Sequence, residues 1–154
     1  MKKIYSLIIV MIIIGGLIMF TKDKKEISTI KKLEYSYTSG MTINGYSRYI
    51  VECNDKCTAL IKPTNIAEEN TKKVELNDEI MNQLEKLLKK YKVNKWNGFN
   101  KHDPNVLDGR SFNIYIEMKN GDSISASGYM KWPENFGEVS KELDNIFEKL
   151  YDDK

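Results

Sequence analysis

The residues best equipped for chemistry stand close together in WNGFNKHDPNVLDGRSF, residues 96–112, where the only histidine of the chain, His102, lies near Asp103 and Asp108. A histidine and carboxylates serve as base and nucleophile when they face each other within hydrogen-bond reach. His102 and Asp103 are chain neighbours, however, and adjacent side chains seldom face one another. The chain holds no Gly-x-Ser-x-Gly, His-Glu-x-x-His or phosphate-cradling glycine loop. A calcium loop of the EF-hand kind starting at Asp103 has Asn105 at its third position, but Leu107 falls at the fifth, Gly109 at the seventh and Ile114 at the twelfth. That pattern needs oxygen ligands, a glycine at six and a glutamate at twelve. His102, Asp103 and Asp108 are thus the catalytic candidates, and chain geometry accounts for more of the stretch. Asn97-Gly98 and Asp108-Gly109 are dipeptides that tolerate positive φ, and Pro104 bends the chain after Asp103. Trp96 and Phe99 are expected to fasten the loop to the core.

The other reactive pair is Cys53 and Cys57, which flank the polar turn Asn54-Asp55-Lys56. Tyr49, Val51 and Cys53 alternate before it, and Cys57, Ala59 and Ile61 alternate after it, so two strands with facing cysteines are expected. In an oxidising compartment these cysteines should bridge. So small a ring removes roughly 2 kcal/mol of chain entropy from the unfolded state, which pins a hairpin tip rather than the fold. Cys-x3-Cys is not the usual redox spacing, and one histidine cannot complete a zinc set, so no metal or cofactor is expected.

The elements that must position these residues are legible from periodicity. Leu33, Tyr35 and Tyr37 share one side of a strand; Asn44-Gly45 marks a hairpin into Tyr46–Cys53, and the cysteine turn makes a three-stranded meander ending near Pro63. Residues 64–71 read as a loop. Lys72 to Leu76 is a short strand, Asn77 an N-cap with Asp78 and Glu79 behind it, and Ile80, Leu84, Leu87, Leu88 and Tyr91 mark an amphipathic helix. Lys86, Lys89, Lys90 and Lys92 at its end read as a solvated face. Phe112, Ile114, Ile116 and Met118 alternate, Asn120-Gly121 turns the chain, and Ser123 to Gly128 completes a second hairpin. Phe136, Val139, Leu143, Ile146, Phe147 and Leu150 mark the last helix. This order predicts an α+β domain over residues 33–154, an antiparallel sheet with one face packed on two amphipathic helices.

The N-terminus has a different character. Residues 1–21 read as a transmembrane anchor or signal, with the almost purely apolar run at 4–20 between flanking lysines, and residues 22–32 read as a charged linker. Its 17 residues form a helix of roughly 25 Å, within the range a bilayer accommodates. The run ends without the small residues of a cleavage site and without a following cysteine, so an uncleaved anchor is favoured over a cleaved signal or a buried helix. The domain is then expected outside the cytoplasm, on a single-pass protein of the cell membrane. Residues 1–25 hold five lysines and one aspartate, which leaves the remainder of the chain with a formal net charge of −2. A nucleic-acid partner needs a sustained basic surface and is not expected.

Four segments together carry a resemblance: KWNGF, NVLDGRSF, SISASGY and WPENF. Trp-x-Gly-Phe, Val-x-Asp-Gly before a strand, Ser-x-x-Ala-Ser-Gly and Pro-x-Asn-Phe before a last helix are similar to the pattern of a group of uncharacterised exported or membrane-anchored bacterial proteins. The resemblance covers roughly residues 74–150 and implies fold and location, not an activity. This chain departs from the lipid-modified members in having no cysteine after its apolar run.

Tyr129 and Trp132 are expected in a loop, where function concentrates. With the outward Ser125 they form the expected binding patch, although a tryptophan before a proline and a helix also serves as a cover over the end of a core. The functional expectation is a non-catalytic binding domain, of inhibitor or immunity type among the options, for a protein or envelope component. A small hydrolase using carboxylates and a structural accessory subunit of an envelope complex are the alternatives.

Overall fold

A computed structural model of the chain describes residues 25–40 and 44–153. The expected N-terminal anchor lies outside the described residues, and among those described no helix is long and apolar enough to cross a membrane. The described residues form an α+β domain, a seven-stranded sheet and two α-helices. The strands are β1 (Ile30–Thr38), β2 (Tyr46–Cys53), β3 (Cys57–Lys62), β4 (Lys72–Leu76), β5 (Asn100–His102), β6 (Ser111–Met118) and β7 (Ser123–Tyr129). Helix α1 (Asp78–Lys90) follows β4, and α2 (Phe136–Asp152) follows β7.

Across the sheet the order is β4-β3-β2-β1-β6-β7-β5, so the N-terminal meander and the later hairpin join through β1 and β6. Their register sets Leu33 against Ile116, Tyr35 against Ile114 and Tyr37 against Phe112, all on one face. The expected wholly antiparallel sheet is corrected at one edge, where β5 runs parallel to β7. Its three residues, Asn100, Lys101 and His102, are all exposed and carry no apolar alternation, so periodicity could not reveal it. The hairpin tip is as expected: Cys53 and Cys57 are cross-strand partners joined by a disulfide.

Both helices pack on the same sheet face. Helix α1 starts where Asn77 accepts a hydrogen bond from the Ile80 N–H at 3.0 Å, satisfying one of the orphan donors of the first turn. It buries Met81, Leu84, Leu87 and Leu88, while Ile80 and Tyr91 are only half-buried. Helix α2 buries Phe136, Val139, Leu143, Ile146 and Phe147. Phe147 stacks on Tyr49 of β2 with 4.5 Å between ring centroids, a contact that ties the last helix to the middle of the sheet. At the β7 end, Gly128 makes room for the core: a Cβ there would lie 2.6 Å from the Phe112 ring and 2.1 Å from the Lys131 carbonyl oxygen. Among the described residues no α-helix covers the opposite sheet face.

Candidate functional site

Strand β5, which ends at His102, and the loop after it close around Tyr129 at the edge of the sheet. The His102 ring is exposed and stacks on Tyr129, centroids 5.0 Å apart. The Asp103 N–H donates to the Tyr129 carbonyl at 3.0 Å, and the Gly109 N–H donates to the Tyr129 hydroxyl at 2.6 Å. The Asp103 carboxylate accepts from the Asn105 N–H at 3.1 Å and pairs with Lys131 at 3.2 Å, which hold it below the usual carboxylate range. Asp108 is exposed on the same loop. Of the three catalytic candidates His102 therefore ends β5 and Asp103 and Asp108 lie on the loop after it, and Asp103 turns to Asn105 and Lys131 while His102 turns to Tyr129.

The two glycines that flank β5 and its loop, Gly98 and Gly109, have different reasons. Gly98 has φ +78°, the left-handed conformation expected of an Asn-Gly pair. Gly109 does not adopt it; a Cβ there would lie 2.4 Å from Met130 Cγ and 2.9 Å from Tyr129 Cζ, so close approach, not φ, calls for glycine. Trp96 and Phe99 do fasten the loop: Trp96 is buried, packs near Phe112 and Phe136, and donates from Nε1 to the Glu134 carbonyl at 3.0 Å. Phe99 is partly buried beside Phe112.

The binding candidates divide between the two sides of the sheet. Tyr129 is not in a loop; it ends β7 and, like Ser125, faces the uncovered side. Trp132 lies on the helix side, 36% exposed, stacked on Phe136 at 4.7 Å and near Phe112 and Tyr37. It lines a groove of about 890 Å³ along α2 with Tyr37, Arg110, Ser140, Asp144 and Glu148. Two of its lining side chains are held from the sheet: the Tyr49 hydroxyl donates to Asp144 at 2.8 Å and the Tyr35 hydroxyl donates to Ser140 at 2.8 Å. Burial raises the Asp144 carboxyl above its ordinary range, the Tyr49 hydrogen bond works against this, and the Glu148 charge adds to it. Asp144 gave no sequence signal because an acid on the polar side of an amphipathic helix reads as solvated.

The uncovered side carries an arrangement that alternation alone does not show. Cross-strand pairing sets Lys62 beside Arg48, Arg48 beside Ser36, Ser36 beside Asn113, Asn113 beside Ser127 and Ser127 beside Asn100. This polar row crosses six strands, and at the usual strand spacing it spans roughly 24 Å. A parallel row sets Ile50 beside Glu34, Glu34 beside Tyr115 and Tyr115 beside Ser125. Arg48 to Ser127 of the first row and Ile50 to Ser125 of the second line a groove of about 310 Å³, in which Tyr115 is 36% exposed. Hydroxyl, amide, guanidinium and carboxylate groups offer both donors and acceptors along it, with an aromatic ring on one flank. Among the described residues no group of His, Cys, Asp and Glu is placed to hold a metal ion. No protein-family model matches the chain, and no curated protein matches it.

Proposed function

We propose that the protein is a membrane-anchored binding domain that works outside the cytoplasm and takes a protein or envelope component on the uncovered face of its sheet, without a catalytic step. The observation that carries this reading is the polar row from Arg48 to Asn100, in register over five strands, bordered by Tyr115 and closed at its β3 end by the buried Lys62. A solvated sheet face is polar at its outward positions in any case; what this face adds is the groove between two rows and the exposed Tyr115 ring beside it. A continuous row of donors and acceptors above a groove supplies directional contacts, which fix orientation and specificity in binding sites. The anchor and the location rest on the apolar run 4–20 with its flanking lysines, and the disulfide suits an oxidising compartment.

The hydrolytic alternative has one observation in its favour, the half-buried Asp144 with its raised carboxyl pKa beside Glu148 in the groove along α2. One set of variants separates the two. The full chain, tagged at its C-terminus and recovered from membranes, is expected to retain envelope material. Asn113→Trp, which fills the groove of the open face, should lose that material, and Trp132→Ala should keep it. Loss with Trp132→Ala and retention with Asn113→Trp moves the surface to the helix side, and retention by no form of the protein sinks the binding reading.

A further inference from the structure

The positive end of the polar row is already occupied by a carboxylate of the same chain. Residues 63–71, between β3 and β4, fold over the uncovered face, and the short 3-10 turn Glu68–Asn70 brings Glu68 onto β2. There its carboxylate accepts from both the Arg48 guanidinium and the Tyr46 hydroxyl, one oxygen to each. Lys62 lies beneath, fully buried, with Nζ donating to the Tyr46 carbonyl at 2.9 Å and seated 3.5 Å from the centre of the Tyr46 ring.

A surface ion pair on a loop needs none of this. A lysine removed from water is costly unless it has a charge to answer, and burial lowers the Lys62 pKa while the Glu68 charge works against that shift. The nearest ordinary substitute for Lys62, an apolar residue under an aromatic ring, would pack without that cost. Arg48 adds a second oddity: its Nε is buried and has no hydrogen-bond partner among the described residues. An unsatisfied buried donor on a guanidinium costs free energy, and a second ligand oxygen would satisfy it. Arg48 also lines the groove of the open face, so the carboxylate seat and the polar row are continuous.

We propose that Arg48, Tyr46 and Lys62 form the seat for a carboxylate of an acidic saccharide laid along the polar row, and that Glu68 occupies this seat as an internal substitute until the ligand displaces it. This deepens the open-face reading and rests on it. The saccharide class follows from what the row offers beyond the seat. Ser36, Asn113 and Ser127 are short groups suited to hydroxyl ligands, and the exposed Tyr115 ring suits the flat apolar side of a sugar. A peptide would more readily pair its own backbone with a sheet edge than lie across six strands.

Binding of tetragalacturonate to the full chain, measured by calorimetry, tests the proposal. Glu68→Gln keeps the size of the internal occupant and removes its charge, and it is expected to bind the tetrasaccharide about tenfold more tightly than the parent chain, the worth of one modest charged contact. Adding Arg48→Gln to that variant should abolish the gain, with unchanged thermal unfolding showing that the fold is intact. Equal affinity in the parent chain and Glu68→Gln, or a gain that survives Arg48→Gln, overturns the proposal. Preference for tetraglutamate over tetragalacturonate overturns the saccharide class. If Glu68→Gln gains nothing while Asn113→Trp still releases envelope material, only the Glu68 mechanism fails. If Glu68→Gln gains affinity while Asn113→Trp retains that material, it is the open-face reading that fails.

Discussion

The two faces of this sheet are built from alternate residues of the same strands, and they hold their carboxylates in opposite ways. On the helix side Asp144 accepts from the Tyr49 hydroxyl, and burial pushes its pKa up. On the uncovered side Glu68 is held by Tyr46 and Arg48, and those partners pull its pKa down. One face is organised by exclusion of water and the other by placed donors and charges. Stability is therefore expected to reside on the first and ligand selection on the second, and each claim can be broken separately.

The largest expected effect comes from the helix side. Phe147 is fully buried and stacks on Tyr49 at 4.5 Å, so Phe147→Ala should cost about 3–5 kcal/mol, the usual range for deleting a buried ring and leaving a cavity. Denaturant unfolding of the full chain would measure it through a lower midpoint at unchanged slope. A loss below about 1 kcal/mol would mean that the α2 packing does not organise the domain as described.

That asymmetry also explains what is legible in the sequence. The covered face is readable because burial imposes a period: Phe112, Ile114, Ile116 and Met118 on β6 and Val139, Leu143, Ile146 and Phe147 on α2 are all buried, at the positions that strand and helix spacing mark. The cysteine hairpin is readable because a tight turn fixes its own register. The uncovered face is not. Ser36 and Arg48 come from one hairpin, Asn113 and Ser127 from another far away in sequence, and they form a row only once β1 pairs with β6. Strand β5 is hidden for a related reason, since an exposed edge segment of three polar residues carries no hydrophobic signal. Ser125 faces outward as alternation predicts, and Tyr129 shares its side. Chain proximity alone groups Trp132 with them, but a chain that leaves β7 at Tyr129 crosses to the other face within three residues.

The pH dependence of stability sharpens the comparison with a smaller effect of defined sign. Asp144 has a raised pKa in the folded state, so it holds its proton more strongly folded than unfolded, and its contribution falls as pH rises through the window above the ordinary carboxylate range. Asp144→Asn keeps an acceptor for the Tyr49 hydroxyl and removes the titration. The variant should therefore lose less melting temperature than the parent between mildly acidic and neutral pH. Glu68 has the opposite sign: its lowered pKa means that the hold of residues 63–71 is present at neutral pH and is lost as pH falls through the folded value. Faster hydrogen exchange of residues 64–70 in acid, corrected for the intrinsic rate, would report that release without global unfolding. Equal slopes for Asp144→Asn and the parent would show that Asp144 is not desolvated in solution.

The smallest expected change in stability is the one that bears most directly on function. Asn113 is exposed at the centre of the polar row, between Ser36 and Ser127. Asn113→Ala leaves the β6 backbone pairing intact and removes only a solvent-facing amide, so unfolding free energy should move by no more than about 0.5 kcal/mol. Alanine is a poorer strand residue than the β-branched ones, but asparagine is no better, which keeps the propensity term small. If the row were merely a solvated surface, the same substitution would also be silent in binding. If the row is a ligand track, the substitution removes a donor and an acceptor from its middle, and tetragalacturonate affinity in the Glu68→Gln background should fall by about fivefold to tenfold, the worth of one net hydrogen bond. A substitution neutral in folding and costly in binding is the signature of a surface kept for recognition; one neutral in both would leave the row as a way of keeping a sheet face wet.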